Sequence, residues 1–217
     1  NDAKVEKDCL NHLVHVAYKA DAGIVGAVIK DETGEQIEFM GYNGSFPLIR
    51  EFFQPIVRWP MTPPGSENDF WPSFRVCGAG MLIRMDTLRD VYALTGRYLD
   101  NKLFFYYDEV EFCCTARKAG YKSVIAKHGV VYHKGAGTSG GWWYNPTIYY
   151  YTHRNRILLA NELLPMPWKL LFHLVNLPLC LARMLKNIMN RRSDSARAIL
   201  CGLLDGYRGV TGKWKRS

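Results

Sequence analysis

From Leu103 to Gly120 the chain passes from an unbroken aromatic stretch, Leu103 to Tyr107, into a segment carrying both a helix start and a helix stop. Asp108 can accept hydrogen bonds from the free amides of a helix N-terminus. Glu111, three positions on, completes the capping-box spacing. Arg117 and Lys118 fall in the last turn, where cations meet the negative end of the helix dipole. Gly120 follows as a natural C-terminal stop.

The rest of the chain extends that pattern. Leu10, Leu13, Val14 and Ala17 recur at helical spacing within Glu6 to Lys19. Gly23 to Ile29 is a short β-branched run, and Asp31 to Gly34 reads as a turn into a second strand near Ile37 to Met40. Phe46 to Phe74 is rich in Pro and aromatic residues, has no period, and is expected to be a long ordered loop. Cys77 to Arg84 is expected as a strand or strand edge, Asp86 to Leu94 as a short helix, and Ser123 to Tyr132 as a strand. After the loop from Gly135 to Gly141, Arg154, Asn155 and Arg156 are expected to open a helical stretch. No internal repeat is visible.

At 217 residues, nearly half of them apolar, the chain suits one domain or one domain with a helical appendage. The division expected is 1–160 for the α/β body and 161–217 for a basic, amphipathic helical tail. The formal charge of +8 is concentrated in that tail: ten basic residues follow Pro165 and only Asp194 and Asp205 oppose them. A neutral body with a cationic tail calls for an anionic partner at the tail. None of the six cysteines forms a C-x-x-C pair, and Cys113 and Cys114 are adjacent, so reduced thiols in a cytosolic protein are expected rather than a zinc site or disulfides.

Three sets of residues could carry chemistry. Asp108, Glu109 and Glu111 suit a solvated helix N-terminus, yet Glu109 is not needed for capping. A carboxylate at a strand end can act as a general base toward a hydroxyl. His133 closes a strand, a position more often structural than ligating. His128 lies five residues earlier, an odd spacing that puts the two on opposite faces of a regular strand and speaks against a two-histidine metal site. Trp142 and Trp143 could pack or could stack on sugar rings.

Taken in order, several segments resemble family 2 glycosyltransferases. They are Cys77 to Arg84, Phe104 to Cys113, Ala119 to Tyr121, Val131 to Gly135 with Ser139, Tyr150 to Arg156, and Gly202 to Gly212. The bacterial rhamnosyl- and galactofuranosyltransferases look most similar. The resemblance implies the C-terminal portion of a GT-A fold, with a nucleotide-binding region upstream of Asn1. Without that region the chain is expected to bind donor poorly. In such enzymes the second member of an acidic pair before a helix is the catalytic base; the pair here is Asp108 and Glu109, which makes Glu109 the base. A later His completes a metal site, the place of His133, and Asp2 resembles the last carboxylate of an Asp-x-Asp metal motif. The turn Cys77, Gly78, Ala79 and Gly80 would lie beside the substrate, with Glu111, Trp142 and Trp143 as further substrate contacts.

The implied reaction moves a sugar from a nucleotide-sugar onto an acceptor hydroxyl of a glycan or lipid-linked glycan, with inversion, as in cell-wall or polysaccharide synthesis. A divalent cation, Mn²⁺ or Mg²⁺, would offset the charge growing on the leaving diphosphate. The alternative class is a non-catalytic carbohydrate- or membrane-binding module that keeps the fold. In the tail, Leu163 to Leu185 is strongly apolar, but its longest uncharged run, Leu170 to Ala182, is 13 residues. About 20 are needed to span a bilayer, so an interfacial helix on an anionic membrane is expected, against the alternative of a helix packed on the body. That expectation places the protein in the cytoplasm, peripheral on the inner face of a bacterial plasma membrane. No nucleic-acid motif accompanies the charge, and nucleic acid is not the expected partner.

Overall fold

The computed structural model describes residues 2–41, 47–53, 68–134 and 145–215. The protein is α/β and divides into two compact units. One draws on residues 2–41, 68–100 and 109–134; the other on 48–53, 101–108 and 145–215. The helical unit thus does not begin at residue 161. It also takes the segment before Asp108 and the whole helix that carries Arg154.

The first unit is built on a mixed sheet. Strand β1 (Ala3–Val5), helix α1 (Cys9–Lys19), β2 (Ile24–Lys30) and β3 (Ile37–Phe39) come first in the chain. Later come β4 (Phe70–Pro72), β5 (Met81–Ile83), α3 (Met85–Thr95), α4 (Asp108–Lys118) and β6 (Ser123–His133); helix α2 (Pro47–Phe53) intervenes before β4. The sheet order is β1-β6-β2-β3, with β4 also on β6 and β5 on β2. Only β2 and β6 run parallel. Their apolar residues are buried on both faces, as a parallel pair inside a sheet requires. Helix α1 packs Cys9, Leu13, Val16 and Ala17 into this core, while Leu10 and Val14 face outward. The apolar positions read from the sequence thus straddle the true inner face.

Two expectations are corrected and one is met in part. The region expected as a long loop from Phe46 to Phe74 contains helix α2 and strand β4, and the remainder of it lies mostly outside the described residues. Cys77 to Arg84 meets the expectation of a strand in its second half, where β5 follows a 3₁₀ turn at Gly78–Gly80. The aromatic run Leu103 to Tyr107 is not a strand. Phe104, Tyr106 and Tyr107 hold φ of 61°, 66° and 68°, which an extended ladder cannot accommodate.

Those backbone groups are satisfied in the second unit by helix α5 (Pro146–Leu163). Its N-cap Asn145 accepts from the Thr147 amide at 2.9 Å, so Arg154 to Arg156 lie mid-helix, not at its start. All three are buried. The Asn155 side-chain amide donates to the carbonyls of Leu103, Phe105 and Tyr106 at 2.8–2.9 Å. Arg154 donates to those of Leu103 and Gly212 at 2.7 and 2.6 Å. The aromatic segment is therefore paired with side chains instead of a neighbouring strand. Helices α6 (Met166–Met189) and α7 (Ser193–Arg208) complete the unit. Gly202 and Gly206, one turn apart on α7, bring it against Tyr150 and Ile157 of α5.

Candidate functional site in the sheet unit

The β1–β6 pairing sets Ala3 opposite His133 and so brings Asp2 beside that imidazole. Asp2 Oδ2 stands 3.9 Å from His133 Nε2, and the Lys134 amide donates to the Asp2 carbonyl at 2.7 Å. On its other side, His133 Nδ1 lies 3.3 Å from Glu38 Oε2 of β3. An ionised carboxylate only accepts, so in this contact Nδ1 carries the proton. Nε2 is turned toward Asp2.

That is the arrangement in which an imidazole serves as a ligand: one nitrogen anchored by a carboxylate, the other left basic. With Asp2 it offers one oxygen and one nitrogen donor, suited to a divalent cation that draws its other ligands from phosphate and water. Among the described residues no three His, Cys, Asp or Glu side chains converge as a ready cation cage. His128 is not part of the set. Its ring lies 5.7 Å from that of His12 on α1. The cause is a bulge rather than strand parity: two steps on β2, from Gly26 to Val28, match five on β6, from Ile125 to Val130.

The predicted acidic pair begins α4. Asp108 is exposed at its first position. Glu109 Oε1 lies 3.3 Å from Arg75 Nη1, both largely covered, and the same guanidinium sits 4.8 Å from the centre of the Phe39 ring. Arg75 thus links the helix start to β3, the strand that holds Glu38. Glu111 is buried, accepts from Thr115 Oγ1 at 2.8 Å and has Arg97 at 3.8 Å. Its carboxylate is engaged inside the protein rather than turned to a substrate.

Cys77 feels the charge of both Glu109 and Glu38. Burial pushes its thiol up, and the charges of Glu109 and Glu38 push it further, against the Ala79 amide and Arg75. Ala79 packs against the core. A Cβ on Gly80 would come 2.9 Å from the Ala27 Cβ, so this glycine lets the turn lie down on the sheet. Nothing stands within reach of a Cβ at Gly78, which faces open space. Trp142 and Trp143 lie outside the described residues.

Glu38 and Arg75 were not legible as site residues. Each sits alone in its segment, without a flanking motif, and only strand pairing brings it in. Two cavities were also missed. One of about 290 Å³ is lined by His12, His15, Val16, Asp69 and His128, with Asp69 held well below the ordinary carboxylate range by Lys19 at 2.5 Å. The other, of about 530 Å³ in the helical unit, is lined by Phe104, Phe105, Thr147, Tyr151, Lys213 and Trp214.

No protein-family model matches the chain, and no characterised protein matches its sequence.

Proposed function

We propose that the sheet unit is part of a GT-A-type catalytic domain of an inverting glycosyltransferase, acting on a nucleotide-sugar and an acceptor hydroxyl. The observation that carries this reading is the approach of Asp2 to His133, 131 positions apart in sequence, with Glu38 fixing the ring. The resemblance of the segments from Cys77 to Gly135 to family 2 enzymes supports it. So does Glu109, at the start of α4.

In this reading Asp2 and His133 would hold a cation, Mn²⁺ or Mg²⁺, which would supply positive charge against the leaving diphosphate. Glu109 accepts the proton of the acceptor hydroxyl as that oxygen bonds to the anomeric carbon and the bond to the diphosphate oxygen breaks. Arg75 keeps the Glu109 carboxylate from rotating away. One base and one displacement invert the anomeric centre.

A second reading is favoured by the same ion pair. If Glu109 only ties α4 to Arg75, the unit is a carbohydrate-binding module without catalysis. The discriminating experiment uses the product of the complete reading frame, assayed for nucleoside-diphosphate release from a panel of nucleotide-sugars with Mn²⁺ and acceptor glycans. Glu109→Gln should lower the rate by at least about 100-fold, the usual worth of a general base, with little change in melting temperature. Turnover unaffected by Glu109→Gln, or no turnover in the unsubstituted protein, would sink the catalytic reading.

A further inference from the structure

We propose that α6 lies along an anionic lipid surface, its apolar stripe in the bilayer interface and its cations among the headgroups. The helix carries two stripes of different chemistry. Phe172, Asn176, Cys180 and Asn187 are buried within the helical unit, where Asn176 Oδ1 accepts from Arg156 Nη1 at 3.2 Å. On the outward side Leu170, Leu174, Leu177, Leu181, Leu185 and Ile188 recur three or four residues apart and are 42–65% exposed. An amphipathic helix of a globular protein turns such a repeat inward. Here the inward stripe is half polar, and the aliphatic one is left in solvent, a contiguous patch of the kind that marks an interaction surface.

Charge decides between occupants. From Met166 to Arg192 there is no Asp or Glu, against Lys169, Arg183, Lys186, Arg191 and Arg192. A second copy docking stripe to stripe would bring two such cationic helices together. An anionic bilayer accepts both features, taking the aliphatic side chains and attracting the cations. The helix is long and apolar enough to cross a membrane by length and composition. A crossing helix, though, must be apolar toward lipid on every exposed side, whereas α6 is amphipathic and keeps two asparagines buried in its own unit.

The test is co-sedimentation of the 217-residue chain with vesicles of phosphatidylcholine alone or mixed with phosphatidylglycerol, at low and high salt. Binding to the anionic vesicles, weakened by salt and lowered at least about tenfold by Leu174→Glu with Leu181→Glu, is expected. Both positions are exposed, so thermal unfolding followed by circular dichroism should be unchanged. Three results would overturn the proposal: equal binding to both vesicle types, binding that the double substitution leaves intact, or a dimer in sedimentation velocity that the double substitution disperses. Salt-sensitive binding to duplex DNA without binding to anionic vesicles would overturn it as well.

Discussion

His133 Nε2 faces Asp2 Oδ2 at 3.9 Å because His133 Nδ1 is held by Glu38 at 3.3 Å. Removing the Glu38 carboxylate frees the ring to turn and to exchange tautomers. Glu38→Ala should let the Nε2-protonated form of His133 appear in ¹⁵N NMR at mildly alkaline pH. It should also weaken Mn²⁺ binding, read by proton relaxation enhancement, by about 10-fold to 100-fold. Asp2→Ala should weaken Mn²⁺ binding while leaving the tautomer as it was. Equal Mn²⁺ relaxivity in all three proteins would remove the pair as a cation site.

Asn155 replaces a strand neighbour for the aromatic segment. Its amide donates to three carbonyls that are otherwise cut off from sheet pairing. Asn155→Ala removes the side-chain donor to the Phe105 and Tyr106 carbonyls, leaving Arg154 on that of Leu103, and loosens the left-handed backbone at Phe104, Tyr106 and Tyr107. A loss of about 2–4 kcal/mol is expected in urea unfolding, larger than for an ordinary surface change. A loss below about 0.5 kcal/mol would mean water satisfies the carbonyls instead.

Gly202 of α7 lies directly against the α5 backbone. A Cβ there would sit 2.5 Å from the Tyr150 carbonyl oxygen, which belongs to a helix backbone and cannot step aside. Gly202→Ala should therefore lower stability by about 1–3 kcal/mol although alanine is the better helix former. Gly209→Ala makes a useful comparison, because its cost comes from φ of 71° and not from any neighbour. A melting temperature raised by Gly202→Ala would show that propensity outweighs the contact.

His153 makes stability depend on pH. It is buried, donates through Nδ1 to the Tyr149 carbonyl at 2.7 Å, and has no partner at Nε2 among the described residues. Burial pushes its pKa down from 6.5 to about 4, against the Tyr149 carbonyl and helped by Arg183 and Arg156. Between those values the unfolded chain binds the proton and the folded chain does not. Stability from this group is thus complete above 6.5, falls as pH drops through the window, and falls no further below about 4. The loss amounts to a few kcal/mol. His153→Leu should flatten the pH dependence of the urea midpoint across that window; parallel curves for the two proteins would assign acid sensitivity to other groups.

Local signals survived folding well where they depended on backbone chemistry alone. Helix α4 runs from Asp108 to Lys118 with Gly120 at φ of 93° just beyond it, although Glu111 bonds Thr115 and makes no capping box. The strands around Ile24 and Ser123 follow from β-branched runs, and the turn after Asp31 from its side-chain bonds to Thr33 and the Gln36 amide. The aromatic run at Leu103 failed by the same logic. Its composition favours a strand, but the donors that satisfy its carbonyls come from Asn155 and Arg154, some fifty residues away.

By itself the sequence determined the α/β class, most element positions, the cationic tail, and Asp2, Glu109 and His133 as candidates. The tertiary structure alone decided which of these meet. Sheet pairing put Asp2 and Glu38 on either side of His133, burial of α4 enclosed Glu111 beside Thr115, and packing within the helical unit buried Phe172 and Cys180 of α6 and left its leucine stripe outward. Spacing along the chain specifies which face of an element a residue occupies. What that face meets is set by contacts between distant segments, and no local period encodes them.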